Sequence, residues 1–242
     1  MGKEGIESRA TEQNKNDVVF CFDVDGTLIN SNSHNYIISS LLRKYGNAVQ
    51  EGREDKIRGY MQEFLASPII GWKNKKETEN LMSEIFKADY KIAVVTHNIF
   101  RVAIECLVEQ LELSAEDKSK IFVVLGGFVN TRQKQIEKVK EHFKIEKFQN
   151  IVLIDDNSNN ITTAKKVGVQ TVTVDKYGMD YLRYASKLLR NFLNPDDVST
   201  EELSSDDSNN EIMGIDFEKC NLSNGEYTPW QSEELLGDSN NL

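Results

Sequence analysis

Asp23 and Asp25 are the residues of this chain best placed, by type and spacing, to do chemistry. They follow directly on the apolar run Val18-Val19-Phe20-Cys21-Phe22. Side chains of a strand alternate between faces, so positions i and i+2 share one. The two carboxylates can therefore aim at a single point just beyond the strand's carboxyl end. In open α/β sheets that edge is where ligands bind. Two acids closing a buried run are costly unless a cation or a reaction uses them. Gly26 lets the chain turn sharply, and Thr27 offers a hydroxyl to the same point. The competing reading is a surface Asp-Gly turn with no chemistry.

Three further segments weigh against that bland reading. Lys91-Ile92-Ala93-Val94-Val95-Thr96-His97-Asn98 is a second β-branched run, and it ends in a hydroxyl residue. Asn150-Ile151-Val152-Leu153-Ile154-Asp155-Asp156 is a third, closing on paired acids. Between them Lys134 precedes the amphipathic run from Gln135 to Phe143. In this order and strand context the four segments resemble motifs one to four of the haloacid dehalogenase-like (HAD) superfamily.

The resemblance implies a reaction and a set of roles. Asp23 attacks phosphorus and forms an aspartyl-phosphate, while Asp25 protonates the leaving alcohol and then activates the hydrolytic water. Thr96 holds the phosphoryl group, and Lys134 offsets its charge, with Arg132 and Lys138 as rivals for that place. Asp23, the backbone carbonyl of Asp25 and Asp156 hold magnesium, a hard cation that takes oxygen ligands and keeps several waters. Counting on from Asp156 reaches Asn160 and Gly168, the spacing that follows the metal-binding Asp in this family. Asp155 is then the weaker ligand, behind Asp156. Asn160 stands where many relatives carry Asp, one negative charge fewer. Gly26, Thr27, His97 and Asn98 complete the expected substrate-binding set. The second acid, Asp25, favours phosphate over halide as the group displaced.

Alternating strands and helices argue for a doubly wound parallel sheet. Strands are expected near 18–24, 91–96, 120–125, 150–155 and 169–174. Helices are expected near 34–45, 53–66, 74–88, 98–112, 133–143, 158–167 and 178–193. About seventy residues separate Asp25 from Thr96, which leaves 31–70 for a small helical cap. A modest cap leaves the cleft open to large substrates.

Composition fits an enzyme of this class. The chain has 242 residues, 39% of them hydrophobic, enough for one good core. No apolar run is long enough to span a bilayer, and the polar N-terminus does not read as a secretory signal. Cys21, Cys106 and Cys220 are scattered, form no metal-binding pair and point to a reducing, cytoplasmic setting. Neither a Cys-x5-Arg loop nor a Gly-x4-Gly-Lys loop is present. The stretch 195–242 holds thirteen acidic residues against one basic, so residues 1–194 carry about +2 of the chain's net −10. This fixes three parts: a flexible N-terminus over 1–16, a hydrolase domain over 17–194 and an acidic, disordered tail over 195–242.

The resemblance implies a magnesium-dependent phosphatase, and the small cap and chain layout lean towards phosphoproteins as substrates, with phosphotyrosine the first side chain to try. The layout also resembles HAD effector phosphatases that bacterial pathogens export into host cells, with Ser232-Glu233-Glu234-Leu235-Leu236 as an acidic translocation signal. Gly225-Glu226-Tyr227-Thr228-Pro229-Trp230 offers a short docking motif for a partner of the tail. Alternatives are a phosphatase of sugar phosphates or nucleotides, and an interaction protein that keeps the HAD scaffold and works through its tail. Nucleic acid is not expected as a partner, because the body is near neutral and carries no basic stripe.

Overall fold

The computed structural model describes residues 17–45, 54–126, 131–174 and 180–194, with the backbone alone over 42–45. The expected flexible N-terminus and acidic tail, with its docking and translocation motifs, lie outside the described residues.

Five short β-branched segments form one parallel sheet. They are β1 (Val19–Phe22), β2 (Lys91–Thr96), β3 (Phe122–Leu125), β4 (Ile151–Asp155) and β5 (Gln170–Thr173). Their spatial order is β3-β2-β1-β4-β5, so β1 is central and the order reverses beside it. Phe22 stands opposite Val94 of β2 and Ile154 of β4. The carboxyl ends of the three central strands are thus level, and that edge lies at a topological switch point.

The helices are α1 (Ser33–Tyr45), α2 (Glu54–Ala66), α3 (Lys75–Lys87), α4 (Arg101–Glu109), α5 (Ala115–Lys120), α6 (Arg132–His142), α7 (Ser158–Lys166) and α8 (Asp180–Leu193). They cover both faces of the sheet, which is why the central strands β1, β2 and β4 read as apolar runs. Phe20, Phe22, Val94, Val152 and Ile154 pack on one side with residues of α1, α2, α3, α4 and α8. Val19, Cys21, Ala93, Val95, Ile151 and Leu153 pack on the other with Ile136, Val139 and Ala164 of α6 and α7. Strand alternation sets this partition. It also assigns the next odd-numbered residues, Asp23 and Asp155, to the α6 side.

Two helices occupy the stretch expected to form a cap. α2 buries Met61, Phe64 and Leu65 and packs against α1 and α4. An Arg58–Glu109 ion pair and a contact from Cys106 Sγ to the carbonyl of Arg58, at 4.0 Å, tie it to α4. This pair of helices is anchored to the body.

One expected helix is shorter than its pattern, and one helix is additional. The helix placed over 98–112 begins only at Arg101 and ends at Glu109. Side-chain oxygens take up the backbone ahead of it: Thr96 Oγ1 accepts from the Asn98 N–H, and Asn98 Oδ1 accepts from the Phe100 N–H. Such local bonds compete with helix formation. The short α5 was not expected. Ser114 caps it by accepting from the Asp117 N–H at 3.0 Å.

Candidate active site

The loop after β1 is shaped by its own backbone. The carbonyl of Val24 accepts from Thr27, Leu28 and Ile29, and the Gly26 N–H donates back to the carbonyl of Ile29. Gly26 has φ +83°, and a Cβ there would lie 2.2 Å from Asp156 Oδ2. Only glycine allows both that conformation and that approach. The loop is then pinned from outside: Asn30 donates to the carbonyl of Gly71, and Lys73 donates to that of Leu28.

Three carboxylates converge beyond β1 and β4. Asp23, Asp155 and Asp156 each offer an oxygen, and these oxygens lie within 4.8 Å of one another. Asp23 is one register step past the Phe22–Ile154 pair, and its N–H donates to the carbonyl of Ile154 at 2.9 Å. This sets it beside Asp155 on the same face.

The cation that meets them comes from the first turn of α6. Arg132 Nη2 donates to Asp23 Oδ1 at 2.5 Å, and its Nε stands 2.9 Å from Asp155 Oδ2, an ion pair too bent to count as a hydrogen bond. Gln135 fixes the guanidinium from beside it. Its Oε1 accepts from Arg132 Nη1 at 2.8 Å, while its Nε2 donates to the carbonyl of Thr96 at 2.6 Å. Thr131 caps α6 by accepting from the Lys134 N–H.

Lys134 does not take the place expected for it. Its side chain is exposed, and its ammonium has no partner among the described residues. Two residues along a helix is a rotation of about 200°, so Lys134 and Arg132 cannot face the same way. Arg132, Gln135, Ile136 and Val139 are the buried residues of α6. Stepping back four from Ile136 along that stripe reaches Arg132, a signal present in the sequence. Lys138 is exposed as well.

Asp155 is held on several sides. Asn160 Nδ2 lies 3.1 Å from both its oxygens, and the Asn157 N–H donates to Oδ1 at 2.8 Å. Together with Arg132 these contacts leave Asp155 fully buried and occupied, whereas Asp156 is exposed. Asn160 thus donates to Asp155, a bond that an Asp at this position could not make while ionised.

Lys73 is a second cation that the sequence did not suggest. It is 8% exposed, and its Nζ donates to the carbonyl of Gly26 at 3.1 Å. The pairing of 71–73 with the 28–30 segment brings it there. No helical or strand periodicity marks an irregular segment of this kind.

The remaining expected residues divide by exposure. Thr96 and Asn98 are fully buried at the end of β2, and His97 between them is exposed. Partial desolvation by the surrounding protein, with Arg132 next in weight, pushes the His97 imidazole below its ordinary value. Asn98 Nδ2 donates inward to Ser33 Oγ at 2.9 Å, so its amide is taken by the protein itself. Thr27 is buried, and its Oγ1 has no hydrogen-bond partner among the described residues.

The electrostatics are those of a site short of positive charge. Burial raises Asp23 well above the usual carboxylate range, and Arg132 only partly opposes it. Burial raises Asp25 too, against two hydrogen bonds from Ser33. Asp156, though exposed to solvent, rises through partial desolvation by the surrounding protein and the neighbouring charge of Asp155, with Lys73 among the groups opposing. Ionising all of these acids together needs a further cation. The hard oxygen donors match magnesium or calcium, not a soft metal. Cys21 lies under the site, but burial pushes its thiol up to about 12, which leaves it inert as a nucleophile.

No protein-family model and no curated protein matches this chain. Solved structures do. The Legionella pneumophila effector Ceg4 aligns with a TM-score of 0.50 at 14% identity, over 72% of this chain and 93% of its own. The HAD domain of Lem4, another L. pneumophila effector, gives 0.47 at 17% identity over 72% and 95%. A HAD family enzyme of Bacteroides thetaiotaomicron, solved with magnesium and inorganic phosphate, gives 0.42 at 14% over 66% and 94%. What these alignments show is the fold alone: this chain shares with Ceg4 the arrangement of its α/β body, whose parallel sheet has β1 at its centre.

Proposed function

We propose that this chain is a magnesium-dependent phosphomonoester hydrolase. The observation that carries the reading is the convergence of Asp23, Asp155 and Asp156 at the carboxyl edge of the sheet, with Arg132 between two of them. Asp23, Asp156 and the backbone carbonyl of Asp25 would hold the metal, and Asp155 is the weaker candidate. When bound, magnesium offsets the charge of the phosphate ester and lets it approach a carboxylate.

The residues of the chain do the rest. Arg132 fixes Asp23 and partly opposes the rise that burial imposes on its carboxyl. Asp23 forms a bond to phosphorus as the ester P–O bond breaks, and Asp25 passes its proton to the departing oxygen. Asp25, now ionised, takes a proton from water as that water attacks the aspartyl-phosphate; phosphate leaves and both acids return to their starting states. Thr96, with backbone N–H groups near it, steadies the phosphoryl oxygens. Gly26 and Thr27 shape the loop, and His97 is exposed next to Thr96. Lys73, beside the carbonyl of Gly26, adds positive charge on the side of Asp156.

The substrate proposed is a phosphorylated protein side chain, phosphotyrosine first. The small pair of helices over 31–70, tied to α4, supports an open cleft that a protein segment can enter. Export into a host cell and a partner for the acidic tail belong to the same proposal. Among the described residues no helix is long and apolar enough to cross a membrane.

Phosphate release from p-nitrophenyl phosphate, with and without magnesium, tests the reaction. Turnover should require the metal and fall by at least about 10³-fold in Asp23→Asn, since the nucleophile itself is lost. Unchanged turnover in that variant overturns the mechanism. A panel of phosphopeptides against sugar phosphates and nucleotides then decides the substrate class.

A further inference from the structure

We infer that Ser33 is a positioning residue that holds Asp25 for proton transfer, an inference resting on the reading above. The Ser33 N–H and its Oγ–H both donate to Asp25 Oδ1, each at 2.7 Å. A serine hydroxyl has one hydrogen, and its direction is normally free. Here it is set. Asn98 Oδ1 accepts from the Phe100 N–H at 2.8 Å, so the amide nitrogen is the end that faces Ser33. That Nδ2 donates to Ser33 Oγ at 2.9 Å, which leaves the hydroxyl to donate onward to Asp25.

The chain of bonds continues to the end of β2, because the Asn98 N–H donates to Thr96 Oγ1 at 3.0 Å. Thr96, Asn98 and Ser33 are all 0% exposed, so water does not compete for these groups. Asp25 itself is only partly buried. With Oδ1 accepting two hydrogen bonds, the proton that Asp25 gives to the leaving oxygen rides on Oδ2. Ser33 thereby selects which oxygen works and fixes the carboxyl plane.

An ordinary capping role does not account for Ser33. It is the first residue of α1, but Asn32 already performs that service: its Oδ1 accepts from the Asn35 N–H at 2.8 Å. The serine hydroxyl is left for Asp25.

The test compares aryl and alkyl phosphates in Ser33→Ala and Ser33→Thr. kcat/KM reports the step in which the ester bond breaks. A poor leaving group needs the proton, whereas p-nitrophenolate departs nearly without it. Ser33→Ala should lower kcat/KM about 30-fold or more on an alkyl phosphate and about threefold or less on p-nitrophenyl phosphate. Ser33→Thr, which keeps the hydroxyl, should restore most of the loss. An equal fall on both substrates, or no rescue by Thr, makes Ser33 merely structural and overturns the inference while the phosphatase reading stands. If the wild type shows no Asp23-dependent turnover, that reading fails by itself. A crystal structure of Ser33→Ala decides the inference in either case: an Asp25 carboxyl that keeps its orientation overturns it, and one that rotates supports it.

Discussion

Arg132 pairs at once with two acids from neighbouring strands, and that makes it the most consequential single side chain of the site. Its planar fork can serve two carboxylates, which the point charge of a lysine cannot do in the same way. Removing one member of a buried ionic group leaves the others uncompensated, at a cost of about 3–5 kcal/mol. Arg132→Ala should therefore lower the unfolding free energy in urea by an amount of that order. Its phosphatase turnover should fall about 10²-fold or more, the scale seen when a charge-stabilising donor is lost. Arg132→Lys should recover part of the stability and little of the activity. Lys134→Ala, at an exposed position, should stay within about twofold of wild type, because surface changes of this kind are mostly neutral. A large loss in Lys134→Ala with a small one in Arg132→Ala would return the role to Lys134.

At the scale of elements, the irregular connection between α2 and α3 holds the loop after β1 in shape. Gly71 lies where a Cβ would come within 2.5 Å of the carbonyl oxygens of both Leu65 and Ser67. Backbone cannot move aside cheaply, so Gly71→Ala should destabilise the fold by about 1–3 kcal/mol. The displaced strand of chain also carries the bonds to Asn30, Leu28 and Gly26. Metal affinity should then fall with stability, which titration calorimetry beside urea unfolding can check; unchanged affinity would mean that the β1 loop stands without this support. The same connection shows where reading a sequence stops. The apolar, β-branched-rich runs of the central strands, bounded by turn residues and too short for helices, located β1, β2 and β4, while the partly exposed β3 and β5 followed from the alternation of strands and helices. Asp23, Asp25, Asp155 and Asp156 stood out because paired acids after such runs have few other uses. Arg132 was legible only as one of three candidates, and the phase of its own helix separates it from Lys134. Lys73 and Ser33 were not legible. Their roles come from tertiary contacts 47 and 8 residues distant, to Gly26 and Asp25, that no local period records.

The whole molecule has a net charge of −10, while residues 1–194 carry about +2. Such a body offers no strong field to draw a phosphate dianion, and beyond about 10 Å salt screens what there is. The cation must be local, and its effect should appear in the stability of the entire domain. Asp23, Asp25 and Asp156 all have folded-state values raised above the ordinary carboxylate value. A group raised in this way favours the folded state in acid, and its contribution is lost as pH climbs from the unfolded value through the folded one. The metal-free protein should therefore lose stability as pH rises out of the carboxylate range towards neutrality. Magnesium replaces those protons with positive charge, so its stabilisation should be largest at neutral pH and fade in acid. At a magnesium concentration about 100 times the dissociation constant the gain is about 2.7 kcal/mol, or about 5–10 °C in Tm for a domain of this size. Asp156→Asn removes the most exposed acid of the cluster and should abolish most of that shift while leaving the Arg132 pairs in place. Scanning calorimetry at two pH values, with and without magnesium, measures all of this without any substrate. A Tm that is indifferent to magnesium at neutral pH would remove the metal from the mechanism, and Arg132 and Lys73 would be left as the charges that face the phosphate.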